Sequence, residues 1–138
     1  MHELRTQRRI EFSDTDLGGN VHFSRFFIFM ETAEDEFLRA LGGSYTMVHE
    51  GREMGWPKVA ASCDYKKPIY YGETIEIHVR VARRSPRTVS YEFEFRRGDD
   101  EIARGRTTSV CCARRPEGGY ESIPIPESLA AKIEEAPG

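Results

Sequence analysis

Residues 12–22 read FSDTDLGGNVH and hold two carboxylates, Asp14 and Asp16, on either side of Thr15 and just ahead of Gly18 and Gly19. An apolar, aromatic run follows at once: VHFSRFFIFMETAEDEFLRALGG. An acidic residue before a helix can simply cap it. It can also serve as a general base or a nucleophile toward an electrophile held at the helix start. There the first backbone N–H groups lack intrahelical partners and the helix dipole is positive. Aimed at a carbonyl, such groups stabilise the negative charge that develops on its oxygen. Gly18 and Gly19 let the backbone bend closely around whatever sits there. Asn20 is a candidate helix cap or substrate contact. His22 is a packed or surface histidine, or a residue that touches the reacting group.

Other catalytic signatures are missing. No G-x-S-x-G elbow, Walker A motif or G-x-G-x-x-G occurs. The three cysteines, Cys63, Cys111 and Cys112, are odd in number and include an adjacent pair, a poor disulfide framework. With four scattered histidines they also lack zinc-site spacing, so no metal and no cofactor is expected. Reduced, packed thiols in a cytoplasmic protein are the expectation.

The elements that must position these residues follow from periodicity. Glu3–Phe12 reads as a first strand, with Leu4, Ile10 and Phe12 as its apolar points, and 13–20 as a loop. From His22 to Leu41, Phe26, Met30, Ala33, Phe37 and Leu41 recur at helical spacing, and Phe23, Phe27 and Leu38 widen the stripe. Glu31, Glu34, Asp35, Glu36 and Arg39 lie mostly off it, and Gly42-Gly43 ends the helix. Residues 44–56 are mixed and suggest a short helical turn. After Pro57, ETIEIHVRVARR and TVSYEFEFRR alternate closely, joined by SPR, with a turn at GDDE and a weaker strand from Glu101 to Arg115. A short terminal helix begins at about Glu127. Short turns imply antiparallel neighbours. One apolar sheet face needs a cover, and the Phe-rich helix is the only element large enough. The fold class predicted is α+β: a curved antiparallel sheet of about five strands wrapped around one long helix, in a single domain over 1–138.

At 138 residues the chain can bury a single core. A formal net charge of −3 argues against a nucleic-acid partner. MHELRTQRRIEF lacks an apolar signal core, and no stretch approaches the ~20 residues of a membrane span, so no membrane partner is expected.

RIEFSDTDLGGNVHFSRFFIFMETAEDEFLRALG resembles the opening motif of hotdog-fold acyl-CoA thioesterases, most closely the 4-hydroxybenzoyl-CoA thioesterase family and its YbgC-type relatives. PKVAASCDYKKPIYYGETIEIHVRV resembles that family's strand, proline, YGE turn and strand. Together with the following hairpin the resemblance covers about residues 8 to 110. It implies that Asp16, the second acid of the D-x-D pair, is catalytic. It also implies an oxyanion hole from a backbone N–H near Phe23, and a homodimer or homotetramer with the site between subunits. Asp14 is then a structural residue bonded to loop amides. Because other branches of the fold carry the base on the helix, Glu31 and Glu34 are reserve candidates, more readily read as solvated or interface glutamates. GNVHF with DLGG is also close to the enediyne-polyketide thioesterase branch, where Asn replaces the aspartate; this chain keeps Asp16.

The activity this implies is hydrolysis of an acyl-CoA to a carboxylic acid and free CoA. Arg83, Arg84 and Arg87 at the hairpin are candidates for the CoA phosphates, with Lys58 and Lys66 weaker ones; the competing reading is a solvated strand end. Tyr65, Tyr70 and Tyr71 read as lining the core or a subunit interface. Two rivals stand: an acyl-carrier-protein thioesterase of polyketide or fatty-acid type, and a non-catalytic acyl-CoA-binding module.

Overall fold

The structure is a computed structural model that describes residues 1–138. Strand β1 (Glu3–Arg9) leads through a 3-10 turn (Phe12–Asp14) and a loop to the long helix α1 (Arg25–Ala40). Short strands β2 (Val48–His49) and β3 (Arg52–Gly55) follow. Then come β4 (Lys58–Tyr65), β5 (Thr74–Arg84), β6 (Thr88–Arg97) and β7 (Asp100–Val110). Two short strands, β8 (Cys112–Arg114) and β9 (Tyr120–Ser122), and a short helix α2 (Glu127–Ala130) complete the chain.

The main sheet has the order β1-β5-β6-β7-β4, antiparallel throughout, as the alternation predicts. Ile75, Ile77, Val79 and Val81 of β5 and Val89, Tyr91, Phe93 and Phe95 of β6 are all buried against α1. The helix answers with Phe26, Phe29, Met30, Ala33, Phe37 and Leu38. Burial of such side chains is worth about 1.5–3 kcal/mol each, so this one interface supplies most of the driving force. Contact is close at Gly105 of β7: a Cβ there would press on the Met30 thioether, which would have to shift. The helix ends where the glycine pair predicts. Gly42 takes φ +91°, and the N–H groups of Gly43 and Gly42 bond the carbonyls of Leu38 and Arg39 in a Schellman arrangement.

Several boundaries differ from the sequence reading. β1 stops at Arg9, because residues 12–14 coil into the turn that buries Asp14. The helix begins at Arg25, not His22, so Phe23 falls outside the stripe and is 63% exposed, while Phe29 takes a place in the core. Residues 48–55 form a hairpin rather than a helical turn, part of a second sheet, β2-β3-β8-β9. The strand expected over 101–115 breaks at Cys111 so that its end can serve this second sheet. No helix is long and apolar enough to cross a membrane.

Candidate active site

The loop between Asp14 and α1 is shaped by its own backbone. Asp16 N–H donates to the Asn20 carbonyl at 2.8 Å, Gly19 N–H donates to the Asp16 carbonyl, and Thr15 bridges Val21. Gly19 sits at φ +82°, a conformation a side chain would strain. The turn therefore closes within five residues and lifts Asp16 to the surface. The Asp16 side chain is exposed; Gly18 N–H donates to its Oδ1 at 2.9 Å, and Oδ2 keeps its lone pairs free. Asn20 is held by its bridge to Tyr70 and does not cap the helix; Ser24 occupies the cap position, but its hydroxyl bonds His22 Nδ1 and not a helix amide.

Asp14 is the opposite case. It is fully buried and accepts from Glu11 N–H at 2.8 Å and from Arg25 at 3.0 and 2.8 Å, with Arg8 at 3.5 Å. Burial alone would raise its pKa. The Glu11 amide, the Arg25 hydrogen bond and the charges of Arg8 and Arg25 outweigh that and hold it below the ordinary carboxylate value. Its carbonyl takes the His22 N–H at 2.8 Å. Asp14 thus fastens the first residues of the helix to the loop that carries Asp16.

Across the turn, the Phe23 N–H makes no hydrogen bond within the chain, though its neighbours do: His22 N–H to Asp14, Ser24 N–H to His22 Nδ1. Asp16, Asn20, Phe23, Phe26 and Tyr65 line one open cleft of about 340 Å³, with Lys66–Ile69 along its rim. A carboxylate with a free oxygen and a free amide thus share one hollow beside the helix N-terminus. That arrangement can hold a carbonyl and attack it, or activate water to do so.

Of the other candidates, His22 is exposed, stacks on Phe23 with ring centroids 4.6 Å apart, and uses Nδ1 as the acceptor for Ser24. Glu34, read as off the apolar stripe, is fully buried: its carboxylate pairs with Lys58 at 3.0 Å and accepts from Ser109 Oγ at 2.9 Å. Burial pushes its pKa up, against the pull of Lys58, Ser109 and Tyr45. Lys58 is therefore committed inside the fold, and Lys66 pairs with Glu101 at 3.2 Å. Glu31 is exposed and borders a second hollow of about 310 Å³ with Tyr45, Trp56 and Tyr120.

The hairpin arginines stand apart from this site. β5 begins beside the Asp16 loop and ends at Arg84, ten residues on, a span of roughly 33 Å. Arg84 Nε donates to the Ile133 carbonyl and Arg87 to Ser122, so both brace the C-terminal segment; Arg83 has no partner. The structure does not bring these three to Asp16 within one chain. Burial pushes the Cys63 thiol up to about 11 and the Cys111 thiol to about 12, so neither is a nucleophile at neutral pH. No cluster of His, Cys, Asp and Glu suits a metal ion. Tyr65 is the site residue that sequence reasoning missed: nothing in YKKPIYYGE marks which tyrosine faces the helix start.

Comparison with known proteins identifies the family and the fold. The family model described as the thioesterase-like superfamily matches residues 10–133. A presumed esterase of Aquifex aeolicus (strain VF5) is 35% identical over 103 residues, covering 73% of this chain and 78% of that protein. A 1,4-dihydroxy-2-naphthoyl-CoA hydrolase of Thermosynechococcus vestitus is 26% identical over 132 residues, covering 95% and 88%. Among solved structures, a 1,4-dihydroxy-2-naphthoyl-CoA thioesterase from Synechocystis superposes with a TM-score of 0.83 at 23% identity, covering 95% of each chain, which establishes the shared fold.

Proposed function

The chain belongs to the thioesterase-like superfamily and is a thioester hydrolase, and on that premise we propose that it cleaves acyl-CoA at the Asp16 cleft. The observation that carries the proposal is the pairing of a carboxylate with a free oxygen and an unpartnered Phe23 amide in one hollow. The thioester carbonyl oxygen lies on the Phe23 N–H. Asp16 takes a proton from water, whose oxygen bonds the carbonyl carbon, or attacks that carbon itself and leaves water to open the resulting anhydride. In either route the C–S bond breaks, the acyl group departs as a carboxylic acid, and the thiolate is protonated to CoA. The relatives named for 1,4-dihydroxy-2-naphthoyl-CoA make an aromatic acyl group the first to try.

The protein works as a homo-oligomer. β4 is a free sheet edge, with Val59 66% exposed on it, and an uncovered edge of this length invites pairing. Two-fold antiparallel pairing along β4 would set one chain's Asp16 end beside the other chain's hairpin, where Arg83 has no partner of its own. That is the route by which the basic hairpin meets a CoA phosphate.

A carrier-protein thioester is the second reading. Leu17, next to Asp16, and Tyr70, bridged to Asn20, are exposed, as are Phe12 and Tyr71, which pack edge-on against each other; this apolar surface suits a protein bearing the acyl chain. The test is thiol release from a panel of acyl-CoAs, aromatic and aliphatic, against the same acyl groups on a carrier protein. Preference for CoA supports the first reading. Turnover confined to the carrier protein selects the second. Binding without turnover on any thioester defeats both.

A further inference from the structure

The Phe23 amide is useful only if it is held still, yet it lies outside the helix proper. The ladder of α1 begins at Arg25, and Ser24 offers no side-chain cap. Something else must fix the two peptide planes that meet at Phe23. The first plane carries the free N–H itself. Its carbonyl, on His22, accepts from Arg25 N–H at 2.9 Å. The second plane carries the Ser24 N–H, which donates to His22 Nδ1 at a long 3.3 Å, and the Phe23 carbonyl, which accepts no backbone N–H. Its partner comes from across the cleft: the Tyr65 hydroxyl donates to it at 2.9 Å.

We propose that Tyr65 is a positioning residue for the oxyanion hole, its hydroxyl pinning the Phe23 carbonyl so that the Phe23 N–H keeps its aim into the cleft. The inference rests on the thioesterase reading above. Tyr65 suits the role because its ring is itself constrained. It packs edge-on against Phe26, centroids 4.9 Å apart, and Phe26 is buried in the core. Tyr65 is also the last residue of β4, with its backbone paired to Ala103. The ring is 44% exposed, but the strand end and the edge-on contact with Phe26 restrict where the hydroxyl can go, and its hydrogen bond passes that restraint to the Phe23 carbonyl. Because β4 is the free edge of the sheet, the same tyrosine joins the surface proposed for subunit pairing to the oxyanion donor.

The test is Tyr65→Phe, which removes one oxygen and leaves the ring packing, assayed beside the parent and Asp16→Asn on the preferred acyl-CoA. A donor that wanders binds the ground-state thioester nearly as well but stabilises the oxyanion less. The loss should thus fall short of the roughly hundredfold or more seen when such a donor is deleted outright. We expect kcat to fall about 5–10-fold with KM within about twofold and the melting temperature unchanged. A kcat within about twofold of the parent overturns the assignment. So does a loss confined to KM, which would make Tyr65 a substrate contact instead. If Asp16→Asn keeps full turnover, the thioesterase site has been misplaced; if Asp16→Asn is inactive while Tyr65→Phe is fully active, only the Tyr65 role falls.

Discussion

Two acidic centres, one in the loop ahead of α1 and one within the helix, could hardly differ more. Asp16, in the loop ahead of the helix, is exposed, its carboxylate accepts one hydrogen bond, and it lines the same cleft as Phe23, whose amide has no partner. Glu34, near the middle, is fully buried and held by Lys58 and Ser109. Each has a carboxylate and each has a raised local potential nearby, from the helix start or from a lysine. What separates them is reach. Glu34 touches only groups that the fold itself supplies, so its charge serves to tie α1 to β4 and β7. Asp16 is left uncommitted by a turn that closes its own backbone bonds without using the second carboxylate oxygen.

The contrast can be broken by substitution. Asp16→Ala should lower turnover by at least ~100-fold with little change in melting temperature, the scale of a lost base or nucleophile. Steady-state thiol release and a thermal melt check both halves, and near-parent turnover would erase the distinction. Glu34→Gln should do the reverse. It strands Lys58 in a half-buried site and should cost about 2–3 kcal/mol, less than for a fully enclosed pair because Lys58 keeps some water contact. Urea midpoints at neutral pH would show the loss, while kcat stays within about threefold.

Asp14 sharpens the comparison from within the motif, since it sits two residues from Asp16 and shares Glu34's burial. Its folded-state pKa lies below the unfolded 3.8, so its ionised form stabilises the fold. That contribution is present above pH ~3.8 and disappears as pH falls through the depressed value. Asp14→Asn should therefore be less stable than the parent at pH 7, with the gap closing in acid below about pH 3.8. A gap that persists unchanged at low pH would mean the Arg25 and Arg8 contacts carry none of the effect.

Much of this organisation is visible in the chain itself. The spacing of Phe26, Met30, Ala33, Phe37 and Leu41 specifies the helix, and strict alternation in β5 and β6 specifies the sheet that receives it. The D-x-D acids and the glycine pair mark the loop. What stays hidden depends on partners distant in sequence. Glu34 lies four residues after Met30 and so on the inward face, but its charge masks the position until Lys58 and Ser109 arrive from β4 and β7. The β2–β3 hairpin turns at Glu50 and Gly51, both with positive φ; glutamate at the first of these is an unusual choice and conceals the turn. The split roles of Asp14 and Asp16 rest on Arg25 and Arg8, which only the folded loop brings to one of them. Arg83, Arg84 and Arg87 looked like one basic group, yet two of them brace the C-terminal segment.

The central claim is that a thioester carbonyl is gripped between Asp16 and the Phe23 amide. A crystal structure with a non-hydrolysable ketone analogue of the preferred acyl-CoA tests it most directly. The account predicts the ketone oxygen at about 2.7–3.1 Å from the Phe23 nitrogen, with the Asp16 carboxylate facing the carbonyl carbon. A ketone lodged instead in the hollow beside Glu31 and Trp56, with Asp16 turned to solvent, would contradict it.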